Sequence, residues 1–417
     1  MNARLKNALA AAALTAVTSL ASFGAAAQDT IRVGYIDPLS GPFANVGDAG
    51  FKHLLYMAEK INSEGGVLGK KIEMIPLDNK SSPQESLVVL REAIDKGVQY
   101  VTQGNGSHVA GALIDAVEKH NRRNPDNAVL FLNYAAVDPE LTNEKCSFSH
   151  FRFDANAEMK LSAMTDYMAE QEDIERVYLI NMDYAHGHQV SRITKELLAE
   201  KRPDVQIVGD VLHPIGKVKD FAPYVSKIKS SGADTVVTGN WGNDLSLLVK
   251  AGADAGLDVD YYTFYAGGLG TPSALGQAGK DRVYHVTEWH TNLPVEEDTP
   301  EMGEFSDAFA ERYPGIDWYY NRLGTQMLML KKAMEEADST DPMEVAKAME
   351  GMEMETPYGT VTMRADDHQL LQPLYVSVLT EGVEKDVENT GLGFKTVARI
   401  EADDTALDTT CEMKRPE

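Results

Sequence analysis

Three short stretches carry residues whose types and spacing suit chemistry. The first is Gln103-Gly104-Asn105-Gly106-Ser107-His108. It lies between an apolar run and an apolar-periodic segment, so its amides open a helix, where backbone N–H groups and the helix dipole favour an anionic group. Asn105 and Ser107 also suit plain helix capping, and the two roles are compatible. Gly104-x-Gly106 matches the start of a dinucleotide fingerprint, but the third glycine position holds Val109, so no such cofactor is expected. The second stretch, Asn133-Tyr134-Ala135-Ala136-Val137, offers small residues that let a ligand approach the backbone. The third, Asp183-Tyr184-Ala185-His186-Gly187-His188, holds a His-x-His pair with metal-compatible spacing. No Cys or carboxylate cluster accompanies that pair, so a solvated loop is expected and no metal. No G-x-S-x-G elbow or Walker loop occurs, and neither cysteine sits in a nucleophile context, so an enzyme is not expected.

The elements that must position these residues alternate. Ile31, Val33, Tyr35 and Ile36 form a β-branched and aromatic run that reads as a buried strand. Pro38, Gly41 and Pro42 break it, and Phe51, Leu54, Leu55, Ala58 and Ile61 then recur at helical spacing. Gly65-Gly66 supplies a stop that tolerates positive φ. Strands are expected at 71–78, 98–102, 129–134, 176–182, 205–212, 235–239, 261–265, 283–287, 360–364 and 374–378. Helices are expected at 83–96, 107–120, 157–169, 187–199, 221–230, 245–255, 304–313, 320–337 and 342–349. The aromatic-rich stretch 146–154 interrupts the rhythm and reads as a first crossing between lobes, with 283–287 leading into a return. The tail from Glu381 is polar and weakly patterned. The fold class is α/β: two doubly wound lobes between which the chain crosses more than once, with loops at strand C-termini forming the ligand crevice.

Arg4 and Lys6, an uncharged apolar stretch over 8–20 and Ala25-Ala26-Ala27 read as a cleavable export leader over residues 1–27. The apolar stretch is too short to span a bilayer. The 417 residues carry 39 basic and 64 acidic side chains; without Arg4 and Lys6 these become 37 and 64, a formal charge of −27. Nucleic acid and anionic membrane surfaces are therefore excluded as partners. About 390 mature residues suit two domains at roughly 100–200 residues each. The two cysteines, Cys146 and Cys411, are expected to pair in an exported chain, the alternative being two unpaired buried thiols.

Leu39-Ser40-Gly41-Pro42-Phe43-Ala44, Gly47, Ile61-Asn62, Gly65-Gly66 and Gly69 together resemble the opening of the periplasmic solute-binding proteins of the branched-chain amino acid (leucine/isoleucine/valine-binding) type, which serve ABC importers. Pro139-Glu140-Leu141-Thr142, Tyr358-Gly359 and Asp367-His368 extend the resemblance over nearly the whole mature chain. It implies a type I periplasmic binding fold, with lobes joined by three hinge strands and a ligand clamped by hinge closure. Lobe 1 is expected over 28–149 and about 288–366, and lobe 2 with the tail over 150–287 and about 367–417. The implied partners are a small-molecule ligand and an inner-membrane ABC permease, the location is the periplasm, and the protein is expected to act as a monomer. An exported sensor module of the same fold and an exported α/β enzyme are the other function classes.

The expected ligand residues are Phe43, Asn105, Gly106, Ser107, Asn133, Ala135, Tyr184, Trp241 and Gly267, with Phe43, Tyr184 and Trp241 placed by the resemblance. Trp318-Tyr319-Tyr320-Asn321 reads as packing. Amino-acid binders of the family typically carry Thr where this chain has Val137, and an acid after the 261–265 strand where it reads Ala266-Gly267-Gly268-Leu269-Gly270. A buried ammonium without a partner is costly. The expected ligand is therefore an aromatic or other organic carboxylate, with a branched-chain or other amino acid as the alternative if another acid, such as Asp183, reaches the site.

Overall fold

The computed structural model describes residues 30–268 and 270–416. The expected export leader lies outside the described residues. Ile31, Val33, Tyr35 and Ile36 are buried in β1 (Ile31–Asp37), which the helix Ala44–Ser63 covers with Leu54, Met57, Ala58 and Ile61. That helix ends as its sequence dictates: Gly66, at φ 78°, returns its N–H to the carbonyl of Ile61 at 2.9 Å.

β2 (Ile72–Asp78), β3 (Tyr100–Gln103), β4 (Leu130–Asn133) and β5 (His150–Arg152) join β1 in a parallel sheet ordered β2-β1-β3-β4-β5. The second sheet takes β6 (Arg176–Met182), β7 (Gln206–His213), β8 (Thr235–Val237), β9 (Asp260–Thr263) and β10 (Val283–Thr287) in parallel. A small antiparallel sheet, β11 (Glu353–Thr356), β12 (Gly359–Met363) and β13 (Leu370–Leu371), belongs with the first lobe, since Val361, Met363 and Leu370 enter its core. β14 (Leu374–Glu381) and β15 (Leu392–Ile400) then complete the second sheet as an antiparallel edge, giving the order β15-β14-β10-β9-β8-β6-β7.

The cores record the crossings. Leu54, Ile61, Tyr100 and Leu132 share one core with Trp289, Trp318, Leu323 and Met327, so the chain from Trp289 packs on lobe 1. Met164, Leu179, Val190, Val237, Val286 and Val376 form the core of lobe 2. The chain passes between lobes after β5, after β10 and between β13 and β14. The first passage follows Arg152, not residue 149, because β5 pairs with β4 before leaving. The return of β13 to β12 likewise moves the last passage from about 366 to 371–374.

The polar tail is more ordered than its composition suggests. β15 buries Leu392, Gly393 and Phe394 and then alternates half-buried and exposed residues along the sheet edge. Beyond it the chain turns back to lobe 1, where Thr409 donates to Asn143 Oδ1 at 3.0 Å and Cys411 is disulfide-bonded to Cys146.

Candidate functional site: an interlobe cavity walled by helix N-termini

The loops after β3, β4, β6, β8 and β9 face one another between the lobes, where ligands bind in open α/β sheets. Lobe 1 supplies Val46, Asn105, Gly106, Ser107, Ala135, Val137, Tyr320 and Arg322 to a shared cavity; lobe 2 supplies Tyr184, His186, Trp241, Gly242, Tyr265 and Thr271. The lobes are closed on it. Phe43 lies against Trp241 with ring centroids 4.2 Å apart, Asn243 Nδ2 donates to the carbonyl of Pro42 at 3.2 Å, and Gln189 Nε2 donates to Glu140 Oε1 at 3.1 Å. The remaining free volume is ≈ 30 Å³, space for about two waters.

Five helices open at this cavity: Ala44–Ser63, Ser107–Arg123, Ala185–Lys201, Gly242–Asp254 and Asn321–Ala337. Their N-cap residues are Phe43, Gly106, Tyr184, Trp241 and Tyr320, and none caps its helix with a side chain. Away from the cavity, Ser82, Asn156 and Asp341 do cap their helices. Four of these N-termini turn partial positive charge toward the cavity, each roughly half an elementary charge at full strength; at the fifth, Arg322 N donates to Glu288 Oε1 at 3.2 Å. Among the described residues no Asp or Glu lines the cavity.

The 104–107 loop is held from behind. Asp37, at the end of β1, accepts from Gly104 N at 3.1 Å, Asn105 N at 3.0 Å and Tyr134 OH at 2.8 Å. Asn105 Nδ2 in turn donates to Tyr134 OH at 2.8 Å. Gly104 is required here, because a Cβ would lie 2.7 Å from Tyr134 Cζ. Burial pushes the Asp37 carboxyl up to about 7, against the opposing effect of these hydrogen bonds.

Arg322 lies fully buried in the first turn of its helix. Its Nη1 donates to both Glu288 oxygens at 2.8 and 3.0 Å, and its Nε donates to the carbonyl of Tyr134 at 2.7 Å and approaches Asp154 Oδ2 at 3.4 Å. Nη2 has no partner among the described residues. Asp154 also pairs with Lys160 Nζ at 2.7 Å and accepts from Tyr265 OH at 2.9 Å. Burial alone would raise the Asp154 carboxyl; the charges of Arg322 and Lys160 overturn this and hold it below its ordinary range. Asp154 and Glu288 sit on the first and second passages between the lobes, so the anchor of Arg322 is the hinge itself. His53 fixes the chain leading to it, accepting Tyr319 N at Nε2 (2.9 Å) and donating from Nδ1 to the carbonyl of Ala49 (2.7 Å).

Of the residues expected from sequence, Asn105, Gly106, Ser107, Ala135, Tyr184 and Trp241 line the cavity. Phe43 stands behind Trp241. Asn133 is turned into its own loop, bonding the carbonyl of Ala136 and the amides of Ala135 and Ala136. Gly267 packs beneath Tyr319 and His285. Asp183 is exposed and paired with His188 at 2.8 Å, so it brings no acid to the cavity. His186, by contrast, is buried in the cavity wall, and no metal-holding group occurs among the described residues. Trp318, Tyr319 and Tyr320 pack in the lobe 1 core as expected, and Tyr320 also reaches the cavity wall, next to Arg322. Arg322 was missed because a lone Arg in an amphipathic helix carries no sequence signal; its only cue was its place in the first turn of a helix opened by three aromatics.

The comparisons agree with this architecture. A family model described as periplasmic binding protein matches residues 30–384. A Leu/Ile/Val-binding protein homolog 4 from Brucella abortus is 34% identical over 425 residues, covering 99% of each chain. The closed crystal structure of a leucine-, isoleucine-, valine-, threonine- and alanine-binding protein from Brucella ovis superposes with a TM-score of 0.82 at 30% identity, covering 93% of this chain and all of the other. An ABC-transporter solute-binding protein from R. palustris in complex with benzoate shares the fold, at a TM-score of 0.78 and 19% identity over 92% of this chain and 100% of its own. Among the described residues no helix is long and apolar enough to cross a membrane. With its two lobes, interlobe cavity and end-to-end likeness to these proteins, the chain belongs to the periplasmic binding proteins of the branched-chain amino acid type, the solute-binding components of ABC transport systems.

Proposed function

We propose that this protein captures a small organic carboxylate carrying an aromatic ring, as a monomer, and delivers it to an ABC permease of the inner membrane without chemical turnover. The observation that carries this reading is the convergence of five helix N-termini, none capped by its own N-cap side chain and only one bonded to a carboxylate, on a cavity lined by no acid among the described residues. Arg322 Nη2 adds a buried cationic donor with no hydrogen-bond partner among the described residues. Each charge-assisted hydrogen bond to a carboxylate contributes ~1.5–3 kcal/mol. Tyr184, Trp241, Tyr265 and Tyr320 supply flat apolar walls with polar tips. An α-ammonium would enter a positive field, and the nearby acids, Asp154 and Glu288, are already engaged by Lys160 and Arg322.

A branched-chain amino acid is the second reading, favoured by the names of the 34% and 30% identical relatives. Calorimetry with leucine, isoleucine and valine against benzoate and cinnamate separates the two, alongside mass spectrometry of ligand released from natively purified protein. Binding of the aromatic acids alone is expected; tight binding of an aliphatic amino acid without any aromatic acid overturns the ordering. The contacts Phe43–Trp241, Asn243–Pro42 and Gln189–Glu140 hold the lobes together over the cavity, so entry requires them to part. Small-angle scattering should therefore show the radius of gyration decrease on saturation, and an unchanged value would count against hinge closure.

A further inference from the structure

Residues 214–217 follow β7 in lobe 2 and lie outside the cavity wall, yet they meet lobe 1. Phe43 of lobe 1 is 3% exposed, and lobe 2 covers it on two sides. One side is the ring of Trp241. The other is Gly216, at φ 63°, where a Cβ would lie 2.9 Å from Phe43 Cε2 and 3.6 Å from Pro42 Cβ. Ile215, beside Gly216, packs on the same cluster of Phe43, Val46, Met182 and Trp241. Phe43 therefore enters a socket built by lobe 2.

The two sides of that socket come from separate elements, the loop after β7 and the helix Gly242–Asp254 that Trp241 opens, and one side chain ties them together. Asp244, 2% exposed in the first turn of the helix, accepts from Gly216 N at 2.8 Å. A carboxylate in a first turn favours the helix dipole by itself. This one also reaches back 28 positions to a different loop. His213, the last residue of β7, fixes the start of the same loop: its Nε2 donates to Asn240 Oδ1 at 3.1 Å, and its Nδ1 lies 3.9 Å from Asp244 Oδ2. Asp244 itself does not line the cavity.

We propose that Asp244 is a positioning residue for lobe closure: it holds Gly216 and Ile215 against the helix of Trp241, and so preforms the socket in which Phe43 seats when the lobes shut on a solute. This rests on the capture reading above for closure around a solute, and not on the chemistry of that solute. A preformed socket avoids ordering the loop at each closure. Its effect belongs to the closed state and is read in the rate of release.

The test is a double-mutant cycle on stopped-flow dissociation rates, with benzoate and leucine as probes, on the wild type, Asp244→Ala, Phe43→Ala and the double variant. Asp244→Ala should release the bound probe about three- to tenfold faster than the wild type. In the Phe43→Ala background the same change should alter the rate by less than about twofold, because no ring is left to seat. Asp244→Asn, whose amide oxygen can still accept from Gly216 N, should stay within about twofold of the wild type. Gly216→Ala, which sets a methyl against the ring, should speed release far more with Phe43 present than without it. Equal acceleration by Asp244→Ala with and without Phe43, or no acceleration, overturns the proposal, since the carboxylate would then only stabilise lobe 2. Failure of the capture reading shows in the wild type alone: a wild type that holds neither probe overturns that reading and this inference with it, whereas one that holds leucine in place of benzoate changes the solute and leaves the cycle to decide.

Discussion

Phe43 and Trp241 meet across the cleft, their ring centroids 4.2 Å apart and their planes inclined by 36°. One precedes the first helix of lobe 1, the other opens a helix of lobe 2, and Trp241 Nε1 is oriented by donating to Tyr184 OH at 2.9 Å. The pair is an interlobe contact that exists only while the lobes are closed on one another. Such a pair contributes about 0.5–1.5 kcal/mol beyond its buried area. Phe43→Ala is therefore expected to weaken ligand binding by about three- to tenfold, mostly through faster dissociation, without removing a residue from the cavity wall. Trp241→Ala, which also strips the wall, should cost more. Stopped-flow dissociation of a bound ligand measures both, and a dissociation rate unchanged in Phe43→Ala would remove the contact from the closing mechanism.

Arg322 joins binding to folding. Its guanidinium neutralises Glu288, 4% exposed, on the second passage between the lobes and lies 3.4 Å from Asp154 on the first. Removing one partner of a buried ion pair costs about 3–5 kcal/mol because the other charge is left behind. Arg322→Gln should therefore lower the melting temperature clearly, and Arg322→Gln combined with Glu288→Gln should recover part of that loss. Both variants should lose about ten- to hundredfold in carboxylate affinity, since neither restores the Nη2 donor. Differential scanning calorimetry and binding measurements on the single and double variants check this. A double variant no more stable than the single one would show that Glu288 does not depend on this cation.

The Cys146–Cys411 bridge closes a loop of 265 residues and fixes the tail after β15 to lobe 1. Chain entropy sets its largest contribution at about 5 kcal/mol. The tail is also held by Thr409 on Asn143, by Arg364 Nη1 on the carbonyl of Leu407, and by Arg415 Nε on Glu350 Oε1 at 2.8 Å. Cys411→Ser should lower thermal stability and make 401–416 accessible to protease before the rest of the chain. Equal protease resistance with and without the bridge would mean that the hydrogen bonds alone hold the tail.

Sequence periodicity located the parallel strands well because they are buried on both faces. Val177, Leu179, Ile180 and Met182 in β6 leave little room for another assignment. It failed where burial is one-sided or supplied from elsewhere. In β15, Lys395, Val397 and Arg399 fall among exposed or half-buried edge positions, so the segment reads as polar tail until β14 is placed beside it. The loops at the ends of β3, β4, β6 and β8 were legible because Gly, Ala and Asn follow each apolar run. Arg322 was not, because its role depends on Glu288 and Asp154, 34 and 168 positions away, which only the two passages between lobes bring together.

Asp37 gives the molecule a pH dependence whose sign can be worked out. Its carboxyl is raised from an ordinary value of 3.8 to about 7 in the folded protein, burial being the dominant cause. Between those values the native state holds a proton that the unfolded chain has released. Stability falls with rising pH wherever the native state binds more protons, so this contribution is complete below about pH 4 and gone once the pH passes about 7. The slope from one group is at most about 1.4 kcal/mol per pH unit. His53, pushed down to about 3 by burial, works in the opposite direction over about pH 3 to 6.5, so the raw stability curve mixes the two. Asp37→Asn isolates the carboxyl. Asparagine cannot take up the proton, and its amide has one acceptor oxygen where Gly104 N, Asn105 N and Tyr134 OH are shared between the two oxygens of Asp37. The variant should be less stable than the wild type at pH 5, and the gap should narrow up to about pH 7 and level off beyond it. Urea unfolding at half-unit pH intervals reads this difference directly. Parallel curves for the two proteins across that range would show that Asp37 titrates alike in the folded and unfolded chains, and would exclude it as the group that holds the 104–107 loop through a proton-sensitive contact.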